Sequence, residues 1–269
     1  MNQAQREQWN AESQVRTWPK RERVTRTVTG PLLDMLRLQP GERVLDVGCG
    51  GGLAALEAAK TVTPSGTVTG FDISVPLVGL AIRRAAEAKV DHAHFFAGDA
   101  QLDDIPGGPF DAAMSQFGVM FFSDPVAAFA NIRRHISPGG RMVFACWQVA
   151  AKNTWYPGPV LARYQSSPVP TAGAGPSPGP FAFGDADYVR SVLRLAGFDE
   201  IRHEESVHEV TVPEDSVSDR ETVEALRLDA ERTAQAWSDL QAFAASMRGP
   251  DGQLHLRIAP QLFAARNPA

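Results

Sequence analysis

Three acids spaced along the first half of this chain have the most chemical potential: Asp46 in VLDVGCGGG, Asp72 in FDIS and Asp99 in GDA. Asp46 stands two residues ahead of Gly48, and Gly48, Gly50 and Gly52 recur at alternate positions behind it. Glycine lets a backbone approach a ligand closely, and a helix that begins behind such a loop offers free N–H groups, the usual setting for a nucleotide. Three ligand classes compete. A triphosphate loop requires GxxxxGK[ST], whereas Leu53, Ala54 and Ala55 follow the glycines here. The dinucleotide fingerprint GxGxxG fits Gly48 and Gly50 but meets Leu53 at its third glycine. A carboxylate at Asp46 would repel a pyrophosphate and suits a ligand that carries an ammonium or other positive charge. S-adenosylmethionine combines an adenosine with an α-amino group and a sulfonium and has no phosphate, so it fits this chemistry.

The elements around these acids alternate. From Gly41 to about Trp147, short β-rich runs (RVLDV, TVTGFDI, AHFFAG, FDAAMSQ, RMVFACW) are separated by Ala/Leu/Arg-rich helical stretches. Such alternation predicts a parallel sheet with helices on both faces, and ligands then sit beyond the carboxyl ends of the strands. Pro40-Gly41 and Pro138-Gly139-Gly140 are expected to stop helices just before strands, and Ser123-Asp124-Pro125 to start one. Ahead of this core, Gln3 to Leu38 reads as two polar helices broken near Trp18-Pro19. Behind it, Pro and Gly are so dense from Pro168 to Pro180 that a linker or lid is expected. A helix capped by Asp185 and stopped at Gly197 follows, then one alternating strand IRHEESVHEVTV. A long periodic helix is expected over Ser218 to Met247, and GQLHLRIAPQLFAARNP reads as a closing strand bulged at Pro260.

The order Asp46-x-Gly48-x-Gly50-x-Gly52, then FDIS, then GDA, then ISPGGRMVFACW resembles the class I S-adenosylmethionine-dependent methyltransferases. The likeness is to their bacterial type 11, ubiE/COQ5-like branch of small-molecule enzymes. It covers residues 40 to 150 well, PFAFGDADYVRSVLRLAGF moderately, and Ser218 to Gly249 hardly at all. The resemblance implies a Rossmann-like, doubly wound, seven-stranded α/β sheet, mostly parallel with the last strand antiparallel. It implies a single domain over 1–269: a helical hood at 1–38, a cofactor-binding core at 39–150, a lid or substrate loop at 151–184, and a C-terminal part at 185–269 with a helical insertion at 218–248 before the last strand. It also implies that Asp46, Gly48, Cys49, Gly50 and Gly52 line the cofactor, that Asp72 holds the ribose, Ile73 packs on adenine, and Asp99 with Ala100 meets the adenine amine. Gln116 is expected near the methionine portion, and the hood is expected to close over cofactor and substrate.

The fourth strand ends in Ser115-Gln116-Phe117-Gly118, which departs from the N/D-P-P-Y/F loop of enzymes that methylate planar amines in nucleic acids or glutamine. Ser115 also replaces the acid that magnesium-dependent catechol enzymes need there, so no metal is expected. A small organic acceptor remains, with O, N, C or S as the attacking atom. Trp18, Phe117, Met120, Trp155, Tyr156 and Tyr164 are the expected substrate pocket, apolar or aromatic in character. Phe117 and Met120 also read as ordinary core, and Trp155, Tyr156 and Tyr164 as packing for the lid. Methyl transfer needs alignment and exclusion of water more than a protein nucleophile. No catalytic residue is assigned; of the six histidines, His135 is expected to complement a helix C-terminus.

The formal net charge of −5 and the absence of a long basic stripe argue against a nucleic-acid partner. The polar opening MNQAQREQWN and the lack of a long apolar run predict a cytoplasmic chain without a membrane span. Two cysteines, Cys49 and Cys146, are too few for a disulfide framework or a cysteine zinc site. The Ser218 to Met247 helix could cover the core or form a homodimer contact. An NAD(P)-dependent oxidoreductase of the same topology and a non-catalytic S-adenosylmethionine-binding protein are the competing readings.

Overall fold

The computed structural model describes residues 3–164, 177–224 and 226–269. Three helices open the chain: α1 (Gln3–Trp9), α2 (Glu12–Thr25) and α3 (Thr29–Leu36). The alternating core follows as β1 (Arg43–Val47), α4 (Leu53–Val62), β2 (Thr67–Asp72), α5 (Val75–Ala88), β3 (Ala93–Ala97), β4 (Phe110–Gln116), α6 (Pro125–Arg134) and β5 (Ile136–Trp147). Beyond it come α7 (Gly158–Leu161), α8 (Ala186–Leu195), β6 (Asp199–Glu205), β7 (His208–Val212), α9 (Arg220–Glu224), α10 (Ala230–Ala245), β8 (Leu254–Ile258) and β9 (Pro260–Arg266). Seven strands form one sheet in the order β3-β2-β1-β4-β5-β9-β6, parallel throughout except that β9 runs antiparallel between β5 and β6. This is the parallel sheet expected from the alternation and the Rossmann-like, seven-stranded arrangement that the resemblance implies. The order reverses at β1 and β4, so a crevice opens between their carboxyl ends.

Local chemistry sets the helix starts. Asp124 accepts from Ala127 N at 3.0 Å with Pro125 in the first turn of α6, and Asp185 accepts from the amides of Asp187 and Tyr188 at the start of α8. Ser74 and Asp229 cap α5 and α10 in the same way. Buried faces are apolar: Val44, Leu45, Ala112, Ala113 and Met114 of the central strands are fully enclosed between the helical layers. Among the described residues no helix is long and apolar enough to cross a membrane.

Several sequence expectations change. Helix α2 runs unbroken through Pro19, and the break falls at Asn10, whose side chain bonds the Arg6 and Ile73 carbonyls. The Trp18–Glu22 side-chain bond spans Pro19 within the helix, and Arg84 of α5 anchors Glu22 from outside, which together hold α2 across the missing N–H. Pro138-Gly139-Gly140 does not end a helix; α6 stops at Arg134 and the glycines carry an irregularity within β5, where the register with β4 shifts. The two late strands are four. β7 and β8 leave the main sheet and pair with each other, and the chain passes through Ala259 into β9. The helix expected over 218–248 is α9 and α10, which bury Val223, Ala236 and Leu240 against Leu161 and Tyr164 in a small second core. Most of the Pro/Gly-dense segment lies outside the described residues. Its end does not: Gly179 N donates to the Met120 carbonyl at 3.1 Å.

Candidate active site

A cavity of about 500 Å³ opens at the carboxyl ends of β1, β2 and β4, beneath α1 and α2. Its floor is set by two turns that touch backbone to backbone. A Cβ on Gly48 would lie 2.8 Å from Gly118 Cα, and one on Gly118 would lie 2.9 Å from Gly48 Cα. Gly48 also holds φ +68°, so glycine is required there twice over. Next to Gly118, Phe117 sits at φ 62°, a costly conformation for a bulky residue. Its amide donates to the Ala145 carbonyl and its ring stacks on Trp147 with centroids 3.9 Å apart, which together hold the strained turn.

Asp46 and Asp72 stand side by side on this floor in different states. Asp72 is spoken for: its Oδ2 accepts from Gly50 N at 2.7 Å and its Oδ1 from Ser74 N at 2.8 Å, which ties the glycine turn to the end of β2. Burial raises the Asp72 pKa, and these two bonds oppose the rise. Asp46 is 1% exposed and lines the cavity. Four buried side-chain polar atoms among the described residues lack a hydrogen bond, and two of them are its carboxylate oxygens. Burial, then the charge of Asp72, pushes its pKa up to about 7; the Ala55 backbone amide, which lies near but outside hydrogen-bond geometry, pulls the other way. A buried acid without a partner is expensive, so this one calls for a cation. The neighbouring Cys49 thiol is held well above its ordinary pKa by burial, then by Asp72 and Asp46, and stays protonated.

Helix α2 forms the roof. Trp18 lies over the glycine turn, so that a Cβ on Gly50 would fall 2.1 Å from its ring. Trp18 Nε1 donates to Glu22 Oε1 at 2.7 Å, Arg84 of α5 makes a two-pronged pair with Glu22, and Arg84 Nη1 also donates to the Gly51 carbonyl. A second attachment fixes the α1–α2 corner: Ser74 Oγ donates to the Trp9 carbonyl, and Asn10 exchanges bonds with Ile73 and Val75. Helix α2 also pairs with the chain ahead of and within α9 through Arg16–Glu221, Lys20–Asp215 and Arg23–Asp215, and Lys20 and Asp215 reach the cavity rim.

The structure brings most of the expected residues to one cavity. Asp46, Gly48, Cys49, Asp72, Ile73, Asp99, Ala100, Gln116, Trp18, Phe117, Met120, Trp155 and Tyr156 all line it. Gly50 and Gly52 do not: Gly50 lies under Trp18, and a Cβ on Gly52 would meet Ala81 at 2.9 Å, so their bare backbone serves packing. Tyr164 is also elsewhere. It belongs to the small second core, and its hydroxyl donates to Asp239 of α10. Gln116 is immobilised from the hood side, accepting from Thr29 Oγ1 at 2.8 Å and donating to the Thr25 carbonyl at 3.2 Å. None of the six histidines lines the cavity; His135 instead bonds the Asn131 carbonyl and the Ile105 amide at the end of α6.

Sequence reasoning missed Trp147, Phe121, Arg21 and the Asp215 to Thr222 segment as lining residues. Trp147 could have been found, because it ends the strand next to β4. The Asp215 to Thr222 segment falls at the start of the helix expected from Ser218, and nothing in that pattern points it toward the crevice. Together Phe117, Trp147, Trp155, Phe181 and Tyr156 form a continuous aromatic wall, with successive ring centroids 3.9 to 5.9 Å apart. Among the described residues no group of three or more His, Cys, Asp or Glu side chains is placed to hold a metal ion.

A doubly wound sheet thus presents an unpaired buried acid at its first turn and a bonded acid at the end of β2 to one cavity. The comparisons agree in class. A family described as "Methyltransferase domain" matches residues 44–140. Nocamycin O-methyltransferase from Saccharothrix syringae is 33% identical over 185 residues, covering 66% of this chain and 66% of the relative. Demethylmenaquinone methyltransferase from Thermus thermophilus is 35% identical over 111 residues, covering 41% of this chain and 50% of the relative. The crystal structure of YcgJ from Bacillus subtilis shares the fold at TM-score 0.60 and 16% identity, covering 91% of this chain and 99% of that one. The chain belongs to the class I S-adenosylmethionine-dependent methyltransferases. It spans about two thirds of the length of the first of these curated relatives and half of the second.

Proposed function

We propose that this chain transfers a methyl group from S-adenosylmethionine to a small, apolar or aromatic organic acceptor by in-line displacement. The observation that carries the reading is Asp46, a buried carboxylate with neither oxygen hydrogen-bonded, facing a cavity at the glycine turn. When bound, the cofactor supplies an electrophilic methyl group on a sulfonium. Asp46 meets its positive end. Asp72, already fixed by Gly50 and Ser74, offers its remaining lone pairs to the ribose hydroxyls, and Ile73 with Ala100 borders the adenine. Gln116, locked by Thr25 and Thr29, presents a rigid amide edge toward the methionine portion. The aromatic wall and the α2 roof align the acceptor and exclude water, which is what a displacement that disperses charge requires. Cys49, kept as a thiol, takes no covalent part. The oxidoreductase alternative would set a pyrophosphate against the unneutralised Asp46, which costs it support.

The test is a labelled-methyl transfer screen against phenols, quinones, heteroaromatic amines and thiols, run beside titrations with S-adenosylhomocysteine and NADH. Label must move to at least one acceptor, and the homocysteine compound must bind more tightly than NADH. Tight NADH binding without affinity for either adenosyl compound rejects the reading.

A further inference from the structure

Four basic side chains lie along α2, and three of them have an acidic partner in the small lobe: Arg16 with Glu221, and Lys20 and Arg23 with Asp215. Arg21 is the exception. Among the described residues no carboxylate stands within ion-pair distance of its guanidinium, which instead lies over the Trp9 ring, 5.2 Å from the centroid. Trp9 in turn meets Phe121 edge-on at 5.0 Å, and all three residues line the cavity. Arg21 is an exposed residue that also lines the cavity, with its guanidinium packed on the Trp9 ring. Desolvation lowers its pKa, and the charge of Asp219 pulls the other way. A guanidinium in such surroundings favours an anion that shares the enclosed space, and its planar fork suits a carboxylate or an acidic enol.

Resting on the methyl-transfer reading above, we infer that Arg21 is a specificity-determining residue that receives an anionic oxygen of the acceptor. The acceptor is then a flat, largely apolar molecule bearing a carboxylate, phenolate or enolate, its ring against Trp9 and Phe121 and its charge on Arg21. Arg21 positions the acceptor and takes no proton.

The experiment uses the full chain saturated with S-adenosylhomocysteine and a matched pair of probes, 1-hydroxy-2-naphthoate and its neutral carboxamide. The native protein binds the acid about 10- to 100-fold more tightly than the carboxamide, the span of one charge-assisted contact. Arg21→Gln abolishes that preference and Arg21→Lys keeps part of it, while both variants melt at the native temperature and hold S-adenosylhomocysteine as the native chain does. The inference falls if the acid binds no better than the carboxamide, undetectable binding of both included, or if the preference survives in Arg21→Gln. It also falls if Arg21→Gln weakens S-adenosylhomocysteine itself, because the guanidinium then serves the cofactor's own carboxylate. A native chain that takes up no S-adenosylhomocysteine fails the methyl-transfer reading instead, a result visible before any probe is added.

Discussion

The floor and the roof of the cavity are held by different forces. On the floor, Asp72 ties two backbone amides and Gly48 meets Gly118 with no side chain between them, so the geometry is built into buried main chain. Across the roof, α2 reaches the small lobe through pairs such as Arg23–Asp215, whose side chains are 41% and 54% exposed. Toward the core the roof is held by the partly buried Glu22–Arg84 pair, at 16% and 26%, and by the Ser74–Trp9 and Gln116–Thr25 hydrogen bonds. Exposed pairs contribute little and are screened by salt, whereas a shared buried main-chain contact leaves no slack. The difference teaches that the cofactor half is rigid by construction and the acceptor half is adjustable.

The largest expected effect is on the floor. Gly48→Ala adds a Cβ against Gly118 at a positive φ, and should cost about 2–4 kcal/mol in urea unfolding. A loss under about 0.5 kcal/mol would mean the two turns are not locked together. Removing residues 1 to 25 takes away the roof but not the sheet. The truncated chain should keep a cooperative melt and lose roughly a hundredfold in methyl transfer, because water then reaches the reacting centre. Turnover that survives intact would reduce α1 and α2 to packing.

Asp46→Asn should act in two opposite directions. The carboxyl has a pKa of about 7 in the fold against an ordinary value of 3.8, so the folded state binds more protons than the unfolded state between those values. Stability of the unliganded protein therefore falls as pH rises from about 4 to about 7, and the penalty is fully present above that. Neutral asparagine removes it, so the unliganded variant should gain about 1–3 kcal/mol at about pH 8 while losing about 10- to 100-fold in S-adenosylmethionine affinity. A variant that loses both stability and affinity would make Asp46 a structural residue. The smallest effect belongs to the exposed ion pairs of the roof. Asp215→Asn should change stability by less than about 1 kcal/mol, and about 0.5 M salt should mimic it in the native chain. A larger change would bring roof and floor under the same kind of restraint.

The same division decided what could be read from the sequence. Strand-end acids at Asp46, Asp72 and Asp99 are legible because a parallel sheet delivers every strand's carboxyl end to one crevice, whatever surrounds it. The glycines of VGCGGG were legible as a tight turn, but the reason for each was not. Gly50 is bare for Trp18, thirty-two positions earlier in the chain, and Gly48 for Gly118, and spacing alone does not encode such contacts. Tyr164 misled because proximity in sequence to Trp155 and Tyr156 suggested a shared wall, whereas α7 turns it toward α10. The late strands misled because IRHEESVHEVTV alternates evenly across Ser206 and Val207, where the chain leaves one sheet for the other. Arg21 is one of four basic residues along α2, and only the pairing of the other three singles it out.

The central claim is that an unpaired buried carboxylate at the end of β1 selects a cationic adenosyl ligand. Its most direct test is the dissociation constant of S-adenosylhomocysteine, whose α-amino group is positive, measured by calorimetry from about pH 5.5 to about pH 8 in native and Asp46→Asn chains. The account predicts that native affinity rises with pH up to about tenfold per unit until Asp46 ionises near its pKa of about 7, then levels, while the variant shows a weak and flat profile. A native profile that is flat across this range, or one that Asp46→Asn leaves unchanged, would contradict it.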